Sequence, residues 1–381
     1  MKLLYDVNEA SFFLSHRLPL ALEPRSRGYD VVVATAPDTG EERVIALGLQ
    51  HRAIKLTRSG FNLGAEISSY RALKRLYQEE KPDLVHHVTI KPVLYGSFAA
   101  RASGVKAVVN AVPGMGYVFT RGGTRASIAR AGVNFLYRLA MQHQNMRVIF
   151  QNREDLSAFV AHAIVRREQT VLIRGSGVDL DRYCRSPEPD TAPTFLLASR
   201  MLKDKGVVGF AQAAAAIKAG VHHQDWNFRL AGGVDAGNPG SLTEVELRRL
   251  EADYGVEWLG HRDDIEELLR GCHVLCLPSY YREGVPKVLL EGSAVSRAMI
   301  ASDMDGCREV ITDEVTGLIV APHDVESLAA AMIRLGADAA LRQRLGQAAY
   351  DKAVAVFSEQ DIVAHTFRVY EELCPVAEQS E

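Results

Sequence analysis

Short runs of aliphatic and β-branched residues alternate with longer amphipathic stretches along almost the whole chain. In the first half, the apolar runs are those at 30–35, 83–88, 106–112, 147–151 and 170–173. The same alternation then continues with FLLAS, NFRLAG, HVLCLP, AMIAS and GLIV. Continuous apolar runs of this length are typical of parallel strands buried on both faces. The pattern therefore predicts doubly wound α/β domains.

A proline- and acid-rich stretch, CRSPEPDTAPT, separates the two sets of apolar runs. The chain has 381 residues, whereas a single hydrophobic core stops growing at roughly 250 to 300 residues. We therefore predict two domains that are linked by this stretch, with the boundary after residue 186. Doubly wound sheets bind ligands at the carboxyl ends of their strands, so two facing sheets would share one cleft.

The five cysteines are Cys184, Cys272, Cys276, Cys307 and Cys374. Their low and odd number argues against a disulfide framework and favours a reducing compartment. Cys272 and Cys276 lie in an apolar run without a second pair, so we expect buried structural thiols rather than metal ligands. The sequence shows neither a signal-peptide pattern nor an apolar stretch of membrane-spanning length, which predicts a cytoplasmic protein.

Charge is distributed unevenly along the chain. Residues 1–186 contain 26 Lys and Arg against 16 Asp and Glu, and the remainder contains 18 against 31. A basic first half favours an anionic partner, such as nucleic acid, a phosphorylated ligand or an acidic membrane surface. Attraction between two oppositely charged domains is the alternative.

Several common α/β sites are excluded by their motifs. The glycine patterns GMGYVF and GSGVDL both lack the third glycine of the dinucleotide-binding fingerprint. The chain also contains no P-loop, no H-E-x-x-H and no G-x-S-x-G pattern. A P-loop kinase, a zincin and an ordinary α/β hydrolase therefore lose their main support.

Two carboxylates, Glu283 and Glu291, flank a Gly-Val-Pro turn in the segment PSYYREGVPKVLLEGSA. Along a helix this spacing separates them by roughly 12 Å, beyond the ~5 to 9.5 Å that glycoside hydrolases use. Pro286 suits the first turn of the next helix, whose open N-terminus at 284–287 offers backbone N–H groups to an anion. With a carboxylate on either side to accept hydrogen bonds from hydroxyls, the segment suits a sugar joined to phosphates.

Arg200 and Lys205 follow the predicted strand FLLAS in the segment ASRMLKDKG. A loop at this end of a strand faces the ligand crevice. The pair could clamp a diphosphate and neutralise the charge that develops on a departing phosphate. Two solvated surface side chains are the alternative.

Six segments in this order resemble the nucleotide-binding half of retaining family 4 glycosyltransferases of the GT-B fold. They are ASRMLKDKG, LAGGVDAGNPGS, WLGHRDDIEELL, REGVPKVLLE, SDMDGCREVI and GLIVAPHDVESLAAAM. In the first half, FFLSHRLPLAL, EEKPDLVHHVTIKPVLYGS and NAVPGMGYVFT resemble the branch that builds bacterial capsule, exopolysaccharide and O-antigen units. The resemblance implies a Rossmann-like acceptor-binding domain over 1–186, a Rossmann-like nucleotide-sugar-binding domain over 187–357, and a C-terminal helix over 358–381 that crosses back to the first domain.

Carried over by position, the resemblance places the donor site in the second half. Arg200 and Lys205 would hold the diphosphate, and Glu291 the ribose hydroxyls. Glu283 would contact the transferred sugar and would act in catalysis together with Arg200 and Lys205. The groups expected to line the sugar, the phosphates and the base are the backbone of Gly284, Val285, Pro286 and Lys287 and the region of Arg262. The resemblance implies no metal and no cofactor, because the basic pair replaces a metal and the nucleotide-sugar is a substrate.

The implied activity is transfer of a sugar, with retention, from a UDP-sugar rather than a GDP-sugar to a polyprenyl-diphosphate-linked saccharide. Such transfers build lipopolysaccharide, capsule and exopolysaccharide, and front-face attack would pass the acceptor's proton to the leaving phosphate. A nucleotide-sugar epimerase or a phosphorylase is an alternative on the same fold. A non-catalytic nucleotide-binding scaffold is another, and it would bind UDP without turning over any sugar.

The sequence departs from the family in both halves. Relatives often carry a glycine pair in the first loop and a histidine after the fourth strand, where this chain has DVNEASFF and AVPGMGYVF. The candidates to line the acceptor side are His16, His86, Lys91 and Gly114, and a structural role for each histidine is the alternative. Ser296 and Ala298 replace the usual glycine and proline near the nucleotide.

An amphipathic stretch over 124–143 bears on the choice of anionic partner. Its predicted apolar face comprises Ile128, Gly132, Phe135, Leu136 and Leu139, and the arginines around it are Arg121, Arg125, Arg130, Arg138 and Arg147. Partial insertion beside anionic headgroups would bring the site to a lipid-linked substrate at the inner face of the plasma membrane. We therefore favour a peripheral membrane protein over a nucleic-acid-binding one, and a core-facing helix is the alternative.

Overall fold

The computed structural model describes residues 1–56, 63–112, 124–220, 223–282 and 284–375, with the backbone alone for residues 63 and 124–130. The chain divides into two compact units. Unit 1 comprises Met1–Ser176 and Gln360–Glu381, and unit 2 comprises Gly177–Glu359.

Unit 1 is built on a parallel sheet with the strand order β3-β2-β1-β4-β5-β6-β7. Its strands are β1 (Lys2–Glu9), β2 (Asp30–Ala36), β3 (Gln50–Ala53), β4 (Leu84–Val88), β5 (Ala107–Val112), β6 (Met146–Phe150) and β7 (Thr170–Leu172). The helices between them are α1 (Ala10–His16), α2 (Leu18–Ser26), α3 (Glu41–Ala46), α4 (Leu63–Glu80), α5 (Ser97–Ser103), α6 (Thr124–Ala140) and α7 (Arg153–Ala161). A π-helical segment, Pro92–Gly96, leads into α5.

Unit 2 contains a second parallel sheet with the strand order β10-β9-β8-β11-β12-β13. Its strands are β8 (Thr194–Ala198), β9 (Asn227–Ala231), β10 (Glu257–Trp258), β11 (Val274–Leu277), β12 (Ala298–Ser302) and β13 (Leu318–Val320). Its helices are α8 (Val207–Lys218), α9 (Glu244–Tyr254), α10 (Ile265–Arg270), α11 (Lys287–Ala294), α12 (Asp305–Val310), α13 (Val325–Ala337) and α14 (Ala339–Val356). The last helix, α15 (Glu359–Leu373), returns the chain to unit 1.

Both sheets are doubly wound, as the alternating pattern predicted. Every predicted apolar run forms a strand, and the order of strands reverses between β1 and β4 in unit 1 and between β8 and β11 in unit 2. In unit 1, helices α4 to α7 cover one face of the sheet, and α1, α2, α3 and α15 cover the other. Ligands of such sheets bind at the carboxyl ends of the strands where the order reverses, so each unit has one edge that is expected to bind a ligand.

The predicted linker belongs to unit 2, and the chain enters that unit at Gly177 rather than after residue 186. The buried Arg297 side chain holds the stretch in place by donating hydrogen bonds to the carbonyl oxygens of Ser186 and Pro187 and to Ser186 Oγ, at 2.7 to 2.8 Å. A second buried contact joins Arg342 to Glu188 at 3.0 Å. Proline and acid content marks an irregular segment, but these contacts make it an integral part of unit 2.

Ser296 adopts a backbone conformation that suits glycine. Its φ angle is 63°, in the left-handed region where a Cβ atom costs about 1 kcal/mol or more. We expect Ser296→Gly to raise the free energy of unfolding by about 0.5 to 1 kcal/mol, measured by denaturant titration. Ser327→Gly, in the right-handed helix α13, is the control and should lower it by a similar amount. Equal losses of stability in both variants would contradict the assignment of strain to Ser296.

Candidate active site

Arg200 lies two residues beyond strand β8, at the carboxyl edge where the strand order of unit 2 reverses. Its guanidinium is exposed on one side and donates a hydrogen bond to Asp235 in the glycine-rich loop after β9, at 2.8 Å. Leu202 and Ser241 form an antiparallel bridge between the same two loops. Arg200 is therefore held at a fixed place with part of its fork open to a ligand.

Lys205 ends a short 3₁₀ turn, Lys203–Lys205, that connects the Arg200 loop to helix α8. Gly206 follows with φ 77°, and a Cβ atom there would lie only 2.1 Å from the carbonyl oxygen of Pro278. The turn is also joined to the loop after β11, because the Tyr280 N–H donates to the Asp204 carbonyl oxygen at 2.9 Å. Glycine thus permits the close approach of the two loops that carry the predicted site residues.

Glu291 lies on helix α11 and is almost completely buried. Burial raises the pKa of its carboxyl group above its usual range, and Lys287, a hydrogen bond with the Tyr183 hydroxyl and the charge of Arg182 offset this rise in part. Lys287 Nζ lies 3.6 Å from Glu291 Oε1, and Arg182 is itself held by Glu266 at 2.7 Å. These three neighbours favour the ionised form, which can accept two hydrogen bonds at once.

Glu283 falls outside the described residues, but the side chain next to it is placed. Arg282 pairs with Asp305 at the start of helix α12 at 2.8 Å, and Arg308 binds the same carboxylate. These two arginines connect the end of β12 to the loop that precedes α11. An ion-pair network therefore holds Arg282, the described residue that precedes Glu283.

The remaining donor-side candidates occupy the approach to α11 and the loop after β10. Pro286 is the residue that immediately precedes the helix, one position earlier than predicted, and Lys287 is its first residue. Gly284 and Val285 are buried next to it. Arg262 is exposed and forms a bidentate pair with Asp264, so it lies on the surface beyond β10 rather than in the buried cluster of Glu291.

The structure places His86 inside the core of unit 1, not on an acceptor surface. Its side chain lies on β4, is 1% exposed and shares a 2.6 Å hydrogen bond with the Tyr370 hydroxyl of α15. Burial and the neighbouring Arg17 charge hold the pKa of His86 well below its usual range, so the ring is neutral. His86 therefore has the structural role that was the alternative to acceptor binding: it holds helix α15 against the sheet through Tyr370.

The other acceptor-side candidates have different surroundings. Lys91 follows β4 and forms a largely buried ion pair with Glu66 of α4, at 2.8 Å. His16 ends α1, stacks on Phe12 and shares a hydrogen bond with the Ser15 hydroxyl. Gly114 lies outside the described residues. Among the described candidates, Lys91 lies in the segment just beyond the carboxyl end of β4, whereas His86 is inside that strand and His16 ends α1.

Two family models match the chain, Glycosyl transferases group 1 over residues 184–352 and Glycosyl transferase 4-like over residues 2–152. The N,N'-diacetylbacillosaminyl-diphospho-undecaprenol alpha-1,3-N-acetylgalactosaminyltransferase of Campylobacter jejuni is 27% identical over 380 residues, which cover 94% of this chain and 97% of that one. The chain belongs to the group 1 glycosyltransferases.

Two further similarities extend this assignment. The UDP-Gal:alpha-D-GlcNAc-diphosphoundecaprenol alpha-1,3-galactosyltransferase of Escherichia coli is 25% identical over 293 residues, 72% of each chain. A sucrose-phosphate synthase structure from Thermosynechococcus elongatus matches with a TM-score of 0.82 at 19% identity, over 98% of this chain and 99% of that one. The glycosyltransferase thus has the GT-B fold predicted from its motifs.

Some side chains of the glycosyltransferase that shape the edge of unit 2 were not predicted from sequence. Tyr183 and Arg182 lie in the stretch before CRSPEPDTAPT, far from Glu291 along the chain, and no spacing rule relates them to it. Asp235 could have been predicted as a partner of Arg200, because it follows the glycine pair after β9. The edge therefore contains three anchoring groups in addition to the predicted ligands.

Within the described part of the chain, no helix is both long enough and apolar enough to cross a membrane.

Proposed function

We propose that this glycosyltransferase moves a sugar from a UDP-sugar to a saccharide linked to polyprenyl diphosphate, in the synthesis of a bacterial surface glycan. The observation that carries the proposal is the buried carboxyl group of Glu291, which keeps Lys287, the Tyr183 hydroxyl and Arg182 as partners that favour its ionised form, together with the exposed Arg200 after β8. The two relatives over most of the chain are named for transfer to diphospho-undecaprenol saccharides, and one is named for a UDP donor.

In the proposed donor complex, Glu291 accepts hydrogen bonds from the ribose hydroxyls. Arg200 and Lys205 bind the diphosphate, and the backbone at the start of α11 lines the phosphates and the sugar. Arg262 borders the base, and Glu283 contacts the transferred sugar. Two cations replace the charge of a divalent metal, so we propose that transfer needs none.

The proposed reaction retains the anomeric configuration. The bond between the sugar C1 and the terminal phosphate oxygen breaks, and a bond between C1 and the acceptor oxygen forms on the same face. The acceptor's proton passes to the departing phosphate oxygen. Arg200 and Lys205 stabilise the negative charge that builds on the diphosphate as the bond breaks.

Calorimetric titration without divalent metal, against UDP, GDP, ADP and TDP in parallel, tests the donor site. We expect micromolar binding of UDP and its loss in Arg200→Ala. Arg334→Ala, which removes an exposed arginine paired with Glu314 in the same unit, is the matched control and should bind normally. A wild-type protein that binds none of the four nucleotides would refute the proposal.

Tyr183→Phe should make UDP binding more sensitive to acid. The Tyr183 hydroxyl lowers the pKa of Glu291, so its removal raises that pKa and protonates the carboxylate at a higher pH. We expect the pH at which UDP affinity falls to rise, with near-normal affinity at alkaline pH. Titrations between pH 5 and 9 measure this, and an unchanged profile would remove Tyr183 from the donor site.

We further propose that helices α4, α5 and α6 of unit 1 bind an anionic membrane surface. The buried side of α6 is formed by Tyr137 and Ala140, whereas Phe135 and Leu136, on the predicted apolar face, are 56% and 40% exposed. The basic side chains on the same layer of helices are Arg71, Lys74, Arg75, Arg101 and Arg138. Exposed apolar side chains among basic ones are typical of interfacial membrane binding.

Co-sedimentation with vesicles tests the membrane surface. We expect binding to vesicles that contain phosphatidylglycerol at low salt, release at high salt and little binding to phosphatidylcholine alone. The double variant Phe135→Ser with Leu136→Ser should bind less. Exposed Val245 on α9 of unit 2 provides the control variant Val245→Ser. Absence of binding to anionic vesicles at low salt would contradict the proposal.

A further inference from the structure

The carboxyl ends of β1 and β4 lie side by side where the strand order of unit 1 reverses. The register pairs Val7 with Val88, so the residues that follow, Asn8 and Thr89, come next to each other at this edge. Neighbouring strands are about 4.8 Å apart, which lets two side chains contact one small group. This is the position at which doubly wound sheets bind their ligands.

Both residues carry a buried polar atom that is unsatisfied. Asn8 Oδ1 and Thr89 Oγ1 have no hydrogen-bond partner among the described residues. Buried polar atoms are nearly always paired, because an unpaired one gives up its bonds to water without replacement. Two such atoms on adjacent strand ends therefore indicate that a ligand group completes them.

The backbone at both positions is irregular. Thr89 has a φ angle of 78°, a conformation that β-branched residues rarely adopt and that is concentrated at functional sites. Asn8 lies at a register shift between β1 and β2, and bulges of this kind redirect side chains next to active sites. The pairing of β1 with β4 ends at Val7 and Val88, so neither irregularity is needed to continue that pairing.

The charge around the pair indicates what kind of group it binds. The nearest cation along the chain, Lys91, is paired with the Glu66 carboxylate at 2.8 Å, so its charge is compensated. The unsatisfied atoms are an amide oxygen, which accepts, and a hydroxyl, which can donate. A sugar hydroxyl matches both, since it donates one hydrogen bond and accepts others, whereas a phosphate would leave the amide oxygen unsatisfied.

We propose that Asn8 and Thr89 form the subsite of unit 1 that binds a hydroxyl of the saccharide acceptor. The hydroxyl donates to Asn8 Oδ1 and accepts from the Thr89 hydroxyl. This inference rests on the proposed function for the identity of the ligand as an acceptor, but the placement of the subsite depends on unit 1 alone.

The kinetic test uses the full chain with two acceptors, the undecaprenyl-diphosphate-linked forms of N-acetylglucosamine and N,N'-diacetylbacillosamine. We expect Thr89→Val and Asn8→Ala to raise the acceptor KM about tenfold or more, and Thr89→Ser to restore it, because a lost hydrogen bond to a substrate hydroxyl has this effect. UDP affinity should stay unchanged in all three. Thr35→Val is the matched control, since it removes a hydroxyl of strand β2 that already bonds His51 at 2.9 Å.

A direct binding test separates this inference from the proposed function. Saturation-transfer NMR with N-acetylglucosamine, N-acetylgalactosamine and galactose at millimolar concentration should show a bound sugar in wild type and Thr35→Val, and a weaker signal in Thr89→Val. Equal signals in all variants, or no signal in wild type, would overturn the subsite even if UDP binds and sugar is transferred. Failure of UDP to bind would overturn the donor proposal and would leave the NMR comparison to decide the subsite.

Discussion

Replacement of Glu291 by alanine is expected to weaken UDP binding by about 10- to 100-fold, which corresponds to about 1.5 to 3 kcal/mol. In the proposed complex, the ribose hydroxyls donate hydrogen bonds to this carboxylate. Because the position is buried, the hydroxyls gain no bond to water when alanine replaces the carboxylate. Lys287, whose Nζ atom lies 3.6 Å from Glu291, would lose its anionic neighbour. Its charge would not repel the neutral ribose hydroxyls. The variant also loses the hydrogen bond with the Tyr183 hydroxyl, so its affinity is compared after circular dichroism has shown that it is folded.

Glu291→Gln separates shape from charge at this position. The amide fills the same space but carries one acceptor oxygen, so its affinity for UDP should lie between those of wild type and the alanine variant. Calorimetry at a pH well above the pKa of Glu291 measures all three, and Glu314→Ala on the surface of unit 2 provides the control. Wild-type affinity in a folded Glu291→Ala protein would exclude the ribose role.

Arg297→Ala is expected to lower the free energy of unfolding of unit 2 by about 3 to 5 kcal/mol. The guanidinium is fully buried and donates to the carbonyl oxygens of Leu269, Arg270, Ser186, Pro187 and Val295 and to Ser186 Oγ, all between 2.7 and 3.0 Å. Without the side chain, these acceptors lose their guanidinium donor around a buried cavity, although the Leu269 carbonyl oxygen keeps the Cys272 thiol at 3.4 Å.

Denaturant titration followed by circular dichroism measures the change. Arg297→Lys should be destabilised as well, because a single ammonium group cannot reproduce the planar fork that reaches three chain segments. Arg334→Ala, which breaks an exposed pair with Glu314, should cost less than about 1 kcal/mol. A loss of stability in Arg297→Ala no larger than in Arg334→Ala would show that the buried network contributes little.

The sequence predicted the sheets because their strands are almost continuous apolar runs. Strand β1 was not among the predicted runs, since its sequence KLLYDVNE contains three polar side chains that the fold places at its centre and end. Strand β10 has only the residues Glu257 and Trp258 and gives no periodic signal. A short or polar strand forms because it pairs with neighbouring strands, and its own sequence does not show which strands will be its neighbours.

The site was predictable where its residues lie in one continuous segment. Arg200 and Lys205 follow strand β8, and Glu291 lies on the predicted helix, as their segments indicated; their roles as ligands stay predictions. Tyr183 was not predictable, because its contact with Glu291 spans a long separation in sequence. The spacing of apolar residues predicted the apolar face of α6. The sequence could not show that Phe135 on this face is exposed, because its exposure depends on which side of α6 packs against the sheet.

The chain leaves unit 1 at Ser176 and returns to it at Gln360. Helix α15 supplies Tyr370, whose hydroxyl bonds His86 and lies 3.2 Å from that of Tyr5, deep inside unit 1. A ribosome that has finished β7 still has to add all of unit 2 and α15, which takes roughly 10 to 40 seconds at ordinary elongation rates. During that interval, α15 does not yet cover the aromatic side chains around His86. Nascent unit 1 therefore exposes apolar surface of the kind that chaperones bind. Unit 2 can complete its fold before unit 1 does.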